Sequence, residues 1–233
     1  MKKAPIILAI DTSTEACSAA LLQEQSCVLR FEKTANAHTK LLLPMITSIL
    51  EETQCRLADI DALAVTRGPG SFTGVRIGVG MAQGLSFGLN IPVYEISTLA
   101  ALAYTANIQG LVNVAIDARM HEVYVATFYC ENNAITSLDA ESLCSPDLLI
   151  ERALHHQSAS VALVGSGWDV YRDNIVLPPL WQHIPAQLPQ AKAVALLAYQ
   201  QWLQGQKGVF AQTIKPVYLR DQVAQKAKSV ERL

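Results

Sequence analysis

Asp11, Thr12 and Ser13 end the apolar run IILAID and open a polar turn. A carboxylate beside two hydroxyls at a strand end could hold a nucleotide phosphate and its magnesium, because a hard cation takes oxygen ligands. The same residue types also serve as ordinary side-chain caps where a strand exits into a turn. A second candidate is Gly68-Pro69-Gly70, between the apolar run ALAVT and a helix-like stretch. Backbone amides at such a junction can cradle an anion, although the Walker lysine is missing and the chain contains no GxGxxG. HEVYV at 121–125 falls short of the zinc-protease HExxH, since Val125 stands where the second histidine must be. His155 and His156 are adjacent and point in different directions, and His38 stands alone, suited to a cap or a core contact. No GxSxG elbow or cysteine–histidine constellation appears.

The glycines after Gly68 pose a separate question. Six of them fall between Gly70 and Gly88, in a segment otherwise patterned as a helix, where each interior glycine costs about 1 kcal/mol relative to alanine. Gly74 and Gly78 are four apart, as are Gly80, Gly84 and Gly88. Such spacing lets two helix backbones approach closely. A phosphate loop needs glycines only at its turn, so close packing explains Gly78 to Gly88, while Gly68 and Gly70 fit the remnant of a phosphate loop. Ile77, Met81 and Leu85 form an apolar stripe between the glycines, and Leu42, Met45 and Ile49 form another on the preceding helix. Together with Gly74, Gly78 and Gly84 these residues are the expected partner interface, in which two helices from each protein make a four-helix contact with a glycine-lined centre. Left open to water, the same surface would be covered by a second copy, giving a weak homodimer.

The elements that must position these residues follow from periodicity. IILAIDTSTEACSAALL at 6–22 has a counterpart in VNVAIDARMHEVYVATFY at 112–129, aligning Asp11 with Asp117 at the ends of two first strands. Each half then opens with a β-hairpin, and the duplication implies two related lobes, 1–105 and 106–233. In the first, a strand near 26–32, a helix from about Thr39 containing Pro44, the strand IDALAVTRG, the glycine helix and the strand IPVYEI follow in order. In the second come a helix opened by Ser145 and Pro146, the strand SVALVGSG, and a helix QAKAVALLAYQQWLQG with Val194, Leu197 and Leu203 on one side. Strands followed by helices, twice over, read as α/β.

The 233 residues, 51% hydrophobic and 16% charged, are ample for a buried core. A net charge of -2 supplies no overall field for a polyanion. The C-terminal stretch is locally basic, with Lys215, Arg220, Lys226, Lys228 and Arg232 against Asp221 and Glu231, and reads as a solvated tail. Five cysteines, odd in number and without a CxxC, argue against a disulfide framework and a zinc site and fit a reducing cytoplasm. The start MKKAPIILAID resembles a signal peptide until Asp11 interrupts it, and reads as a first strand. Polar residues also interrupt the long, nearly uncharged stretch from Arg76 to Asp117, so no membrane span is expected.

Taken together, AIDTSTEACSAAL, the His38 helix, VTRGPGSFTGVRIGVGMAQGL, AIDARMHEVYVA and KPVYLRD resemble the TsaB family of tRNA threonylcarbamoyladenosine synthesis, over nearly the whole chain. The resemblance implies a two-lobed actin-like ATPase fold with ribonuclease-H-like sheets. It also implies a cytoplasmic complex with the catalytic paralogue TsaD and the ATPase TsaE, which transfers a threonylcarbamoyl group from threonylcarbamoyl-adenylate to N6 of the adenosine next to the anticodon. ATP and a metal ion would enter through those partners, and tRNA through the complex. The paralogue carries a metal-binding pair of histidines just after the strand that follows the glycine helix. Here that stretch reads EISTLAALAYTA, without histidine, which implies a non-catalytic member with no cofactor of its own and at most vestigial nucleotide binding at Asp11, Thr12, Ser13, Gly68 and Gly70. An autonomous ATP-dependent transferase or kinase is the alternative; a peptidase lacks its constellation.

Overall fold

A computed structural model describes residues 4–24, 26–34, 36–156, 160–185 and 187–220. The first sheet contains β1 (Ile7–Asp11), β2 (Ala16–Gln23), β3 (Ser26–Lys33), β4 (Ala62–Thr66) and β5 (Val93–Ile96), in the order β3-β2-β1-β4-β5. Helix α1 (His38–Thr53) joins β3 to β4, helix α2 (Phe72–Leu89) joins β4 to β5, and α3 (Thr98–Ala106) leads to the second sheet. That sheet is built from β6 (Gly110–Arg119), β7 (Glu122–Glu131), β8 (Ala134–Ser137), β10 (Ala162–Val164) and β11 (Gln182–Ile184), with the short β9 (Ser142–Cys144) against β7. Its order, β8-β7-β6-β10-β11, repeats the first, antiparallel across the hairpins and parallel beyond them. Helices α4 (Leu149–Leu154), α5 (Ser166–Tyr171) and α6 (Ala191–Leu203) complete the chain. This is the two-lobed actin-like ATPase architecture with its internal duplication.

Strand alternation decides which face each helix covers. On β1, Leu8 and Ile10 face α1 and α2, packing with Leu42, Ile46, Ile49, Val75 and Val79. Ile7 and Ala9 face the opposite side and pack with Ala191, Val194 and Ala198 of α6. Small residues on both surfaces let α6 lie close to the sheet, and Ser18 Oγ accepts the Ala191 amide at its first turn (2.9 Å). Helix α3 buries Leu99, Leu102 and Ala103 against the second sheet while Ala101 meets the α6 cluster. The expected boundary near residue 105 therefore separates the two sheets but not their covering helices: α3 precedes it and packs on the second sheet, whereas α6 follows it and packs on the first. On α6, Val194 and Leu197 are buried as expected, but Leu203 faces solvent.

Candidate functional site

The turn after β1 is sealed inside the protein. Asp11, Thr12, Ser13 and Thr14 are all buried. Asp11 Oδ1 accepts hydrogen bonds from Ser13 Oγ (2.6 Å), Thr66 Oγ1 (2.6 Å) and the Ser13 amide (3.2 Å), while its Oδ2 is buried without a partner. Burial pushes the Asp11 carboxyl above its ordinary value, opposed by the bonds from Ser13 and Thr66. Thr12 Oγ1 donates to the Gly74 carbonyl (2.7 Å). His38 is buried at the start of α1, its Nε2 3.0 Å from the Thr14 carbonyl, so it is a core contact holding the same turn.

The glycines of the β4–α2 junction are filled by this chain's own backbone. A methyl on Gly70 would lie 2.3 Å from the Ser13 carbonyl oxygen, one on Gly74 2.1 Å from that of Thr12, and one on Gly68 2.8 Å from that of Val217. The Ser71 amide, at the N-cap of α2, donates to Ser13 O (2.7 Å). A phosphate needs such amides free and such hydroxyls turned outward. Here Thr12 Oγ1, Ser13 Oγ and the Ser71 amide are all spent on internal acceptors, which leaves few groups at Asp11, Thr12, Ser13, Gly68 and Gly70 turned toward a phosphate.

The second lobe repeats this junction, a signal present in the sequence as a second GxG after a strand, Gly165-Ser166-Gly167. Gly165 and Gly68 share φ = +104°. Added methyls on Gly165 and Gly167 would meet Ala115 atoms at 2.4 and 2.9 Å. Asp117 corresponds to Asp11 but is less enclosed: Oδ1 accepts the Arg119 amide (2.9 Å) and the Tyr171 hydroxyl (3.4 Å).

On α2 the two glycine rows have different fates. Gly74 and Gly78 face the sheet, with a Gly78 methyl only 2.7 Å from Thr12 Oγ1, whereas methyls on Gly80, Gly84 and Gly88 would meet nothing within 4 Å. Leu42 and Ile49 are likewise fully buried. The stripe expected to face a partner is thereby corrected: Leu42, Ile49, Gly74 and Gly78 belong to the lobe's own core, because α1 packs Leu42 and Ile49 into it over β2 while the rotation of α2 turns Gly74 and Gly78 toward β1 and β4. Met45, Ile77, Met81 and Leu85 are half-buried along its rim, beside the exposed Gly84.

Sequence reasoning missed the aromatic cluster at the start of α2. The Arg76 guanidinium lies 3.4 Å above the Phe72 ring centre and its Nε donates to Tyr218 Oη (2.7 Å). Phe72, Arg76, Gly80, Gly84 and Gly88 share a four-residue spacing, the one signal that could have joined them. Arg220, read as part of a solvated tail, instead donates to the carbonyls of Ala118 (3.1 Å) and Arg119 (3.2 Å). Asp221, Lys226, Lys228, Glu231 and Arg232 lie outside the described residues.

His121 stands in a hairpin turn and Glu122 begins β7; Glu122 pairs with Arg220. His156 Nε2 lies 3.2 Å from Asp139 Oδ2. Among the described residues, no group of three or more His, Cys, Asp or Glu is placed to hold a metal ion, and no helix is long and apolar enough to cross a membrane.

Comparison with known proteins agrees with this architecture. A family model described as TsaD, tRNA N6-adenosine threonylcarbamoyltransferase, matches residues 31–228. The tRNA threonylcarbamoyladenosine biosynthesis protein TsaB of Escherichia coli K12 is 41% identical over 229 residues, covering 94% of this chain and 96% of that protein. The Haemophilus influenzae protein of the same name is 41% identical over 231 residues, covering 94% and 95%. The solved structure of YeaZ from Pseudomonas aeruginosa superposes with a TM-score of 0.84 at 38% identity, over 92% of this chain and 100% of that one. With relatives this similar along nearly their whole length, the chain belongs to the TsaB family.

Proposed function

We propose that this protein serves tRNA threonylcarbamoyladenosine biosynthesis as a non-catalytic partner subunit, docking on and activating the catalytic paralogue TsaD in a cytoplasmic complex with the ATPase TsaE. The observation that carries the reading is the open glycine row of α2, Gly80, Gly84 and Gly88, bordered by half-buried apolar residues. Interior glycines weaken a helix, and among the described residues nothing lies within 4 Å of a methyl added at any of these three, so a close-packed partner helix gives them their purpose. Two further features support it. Thr12 Oγ1, Ser13 Oγ and the Ser71 amide, beside the β1 and β4 strand ends, are spent on internal bonds, and the stretch from Glu95 to Ala106 contains no histidine.

ATP and the metal ion then act through the partner subunits, tRNA is engaged by the complex, and the isolated chain covers its α2 face as a weak homodimer. Reconstitution tests the reading: TsaD, TsaE, tRNA and threonylcarbamoyl-adenylate with and without this chain. Modification that requires the chain, and none from the chain alone, is expected. Transfer by the chain alone, or full transfer in its absence, overturns it.

A further inference from the structure

The hairpin joining β6 to β7 has a turn that its own residues do not favour. Arg119, Met120 and His121 all have left-handed backbones, with φ of +62°, +58° and +58°. Two-residue hairpin loops of this hand are normally built from Asn-Gly or Asp-Gly, because other L residues resist positive φ. The neighbouring hairpin obeys the rule, placing Asn132 and Asn133 at φ of +51° and +62°. The Met-His tip therefore needs support from outside itself.

Arg220 supplies it, about a hundred residues away along the chain. One guanidinium nitrogen, Nη2, reaches the carbonyls of Ala118 and Arg119 and the Glu122 carboxylate, and Nη1 lies 3.6 Å from Met120 Sδ. Bulk packing does not explain the arrangement. A cavity of about 710 Å³ remains between Met120, Glu141, Leu143 and Leu219, and Met120 is 69% exposed.

The segment that delivers Arg220 is seated on the other lobe. Gln83 Nε2 donates to the Ile214 carbonyl (3.0 Å), the Lys215 amide to Glu95 Oε1 (3.2 Å), the Val217 amide to the Arg67 carbonyl (2.8 Å), and Arg76 to Tyr218. The geometry points to a latch: residues 214–220 form a strap from α2 to the β6–β7 hairpin, and the left-handed tip, which Asp117 contacts through the Arg119 amide and Tyr171 through the His121 ring, loosens when Arg220 is released. The strap couples the α2 surface of the first lobe to an exposed tip of the second. This goes beyond the partner-subunit reading and does not depend on it, since every contact lies within one chain.

Amide hydrogen exchange of the full-length isolated chain tests the latch. Arg220→Ala is expected to raise exchange at residues 119–123 about tenfold, equivalent to about 1.4 kcal/mol, while amides in β1 and β4 stay unchanged. Arg220→Lys keeps the charge but loses the planar fork, so it should raise exchange at the same amides and decides the matter should the alanine variant fail to fold. Arg76→Ala, at the seat of the strap, should loosen the same peptides. Adding Met120→Asn with His121→Gly makes the turn self-sufficient, so the effect of Arg220→Lys should vanish. Tip exchange within twofold of wild type in the folded Arg220 variants, or an undiminished effect with the Asn-Gly tip, overturns the proposal.

Discussion

Gly70 rests against the carbonyl of Ser13, 57 residues earlier: a methyl on Gly70 would lie 2.3 Å from that oxygen, and the adjacent Ser71 amide donates to it at 2.7 Å. Gly70→Ala should therefore destabilise the isolated chain by about 1–3 kcal/mol or more, as overpacking against backbone does. Gly167→Ala, at the repeated junction, should do the same. Denaturant unfolding of both variants checks the expectation, and wild-type stability in either would mean that the junction yields more easily than its geometry indicates.

The two glycine rows of α2 should separate folding from association. Gly78→Leu is expected to prevent stable folding, because Thr12 and Val65 occupy the space its side chain needs. Gly84→Ala has open space and should stabilise the isolated chain by about 0.5–1 kcal/mol. Gly84→Leu should fold but raise the dissociation constant for TsaD by about one to two orders of magnitude. Thermal melts beside titration calorimetry measure both effects; unchanged affinity in Gly84→Leu would remove α2 from the interface.

Self-association offers an independent check on the same face. Met81→Asp places a charge on the half-buried rim beside the open glycines and should shift the isolated chain toward monomer in sedimentation velocity, with the circular dichroism spectrum preserved. An unchanged distribution of species would place any homodimer contact elsewhere.

Asp11 predicts a pH dependence of stability. Its folded-state carboxyl is raised above the ordinary value of 3.8, chiefly by burial, so the native state holds its proton more tightly than the unfolded chain. The stability this contributes is complete below about 3.8 and declines as pH rises toward the folded-state value. Asp11→Asn keeps an acceptor at Oδ1 and cannot ionise. The stability difference between variant and wild type should therefore shift in favour of the variant as pH rises across that window, in urea melts at successive pH values. A difference shifting the opposite way would show that the bonds from Ser13 and Thr66 outweigh burial.

The thiols should divide by burial. Cys17 and Cys130 are pushed up to about 11, leaving almost no thiolate at neutral pH, and thiolate is the reactive form. Cys27 is only half-buried. Timed alkylation followed by peptide mass spectrometry should label Cys27 well before Cys17 or Cys130 in the native chain; equal rates would contradict that order.

What the sequence determined by itself is local or repeated. The repeated Ala-Ile-Asp placed Asp11 at the end of β1 and Asp117 near the end of β6, helical spacing located α1 and α2, and the glycine segment with the flanking motifs carried the family. The missing histidines after Glu95 needed no structure to be seen. The orientation of each element required the tertiary fold, because it depends on partners remote in sequence. Thr66 lies 55 residues from Asp11 and Tyr218 lies 142 from Arg76. Glycines at one spacing look alike in a sequence, yet Gly78 meets Thr12 while Gly84 meets open space, since only the rotation of α2 on the sheet distinguishes them. The exchange of α3 and α6 across the lobes and the reach of Arg220 to the Ala118 carbonyl have the same origin: chain segments meet because strand order brings them together, and no short-range pattern encodes that meeting.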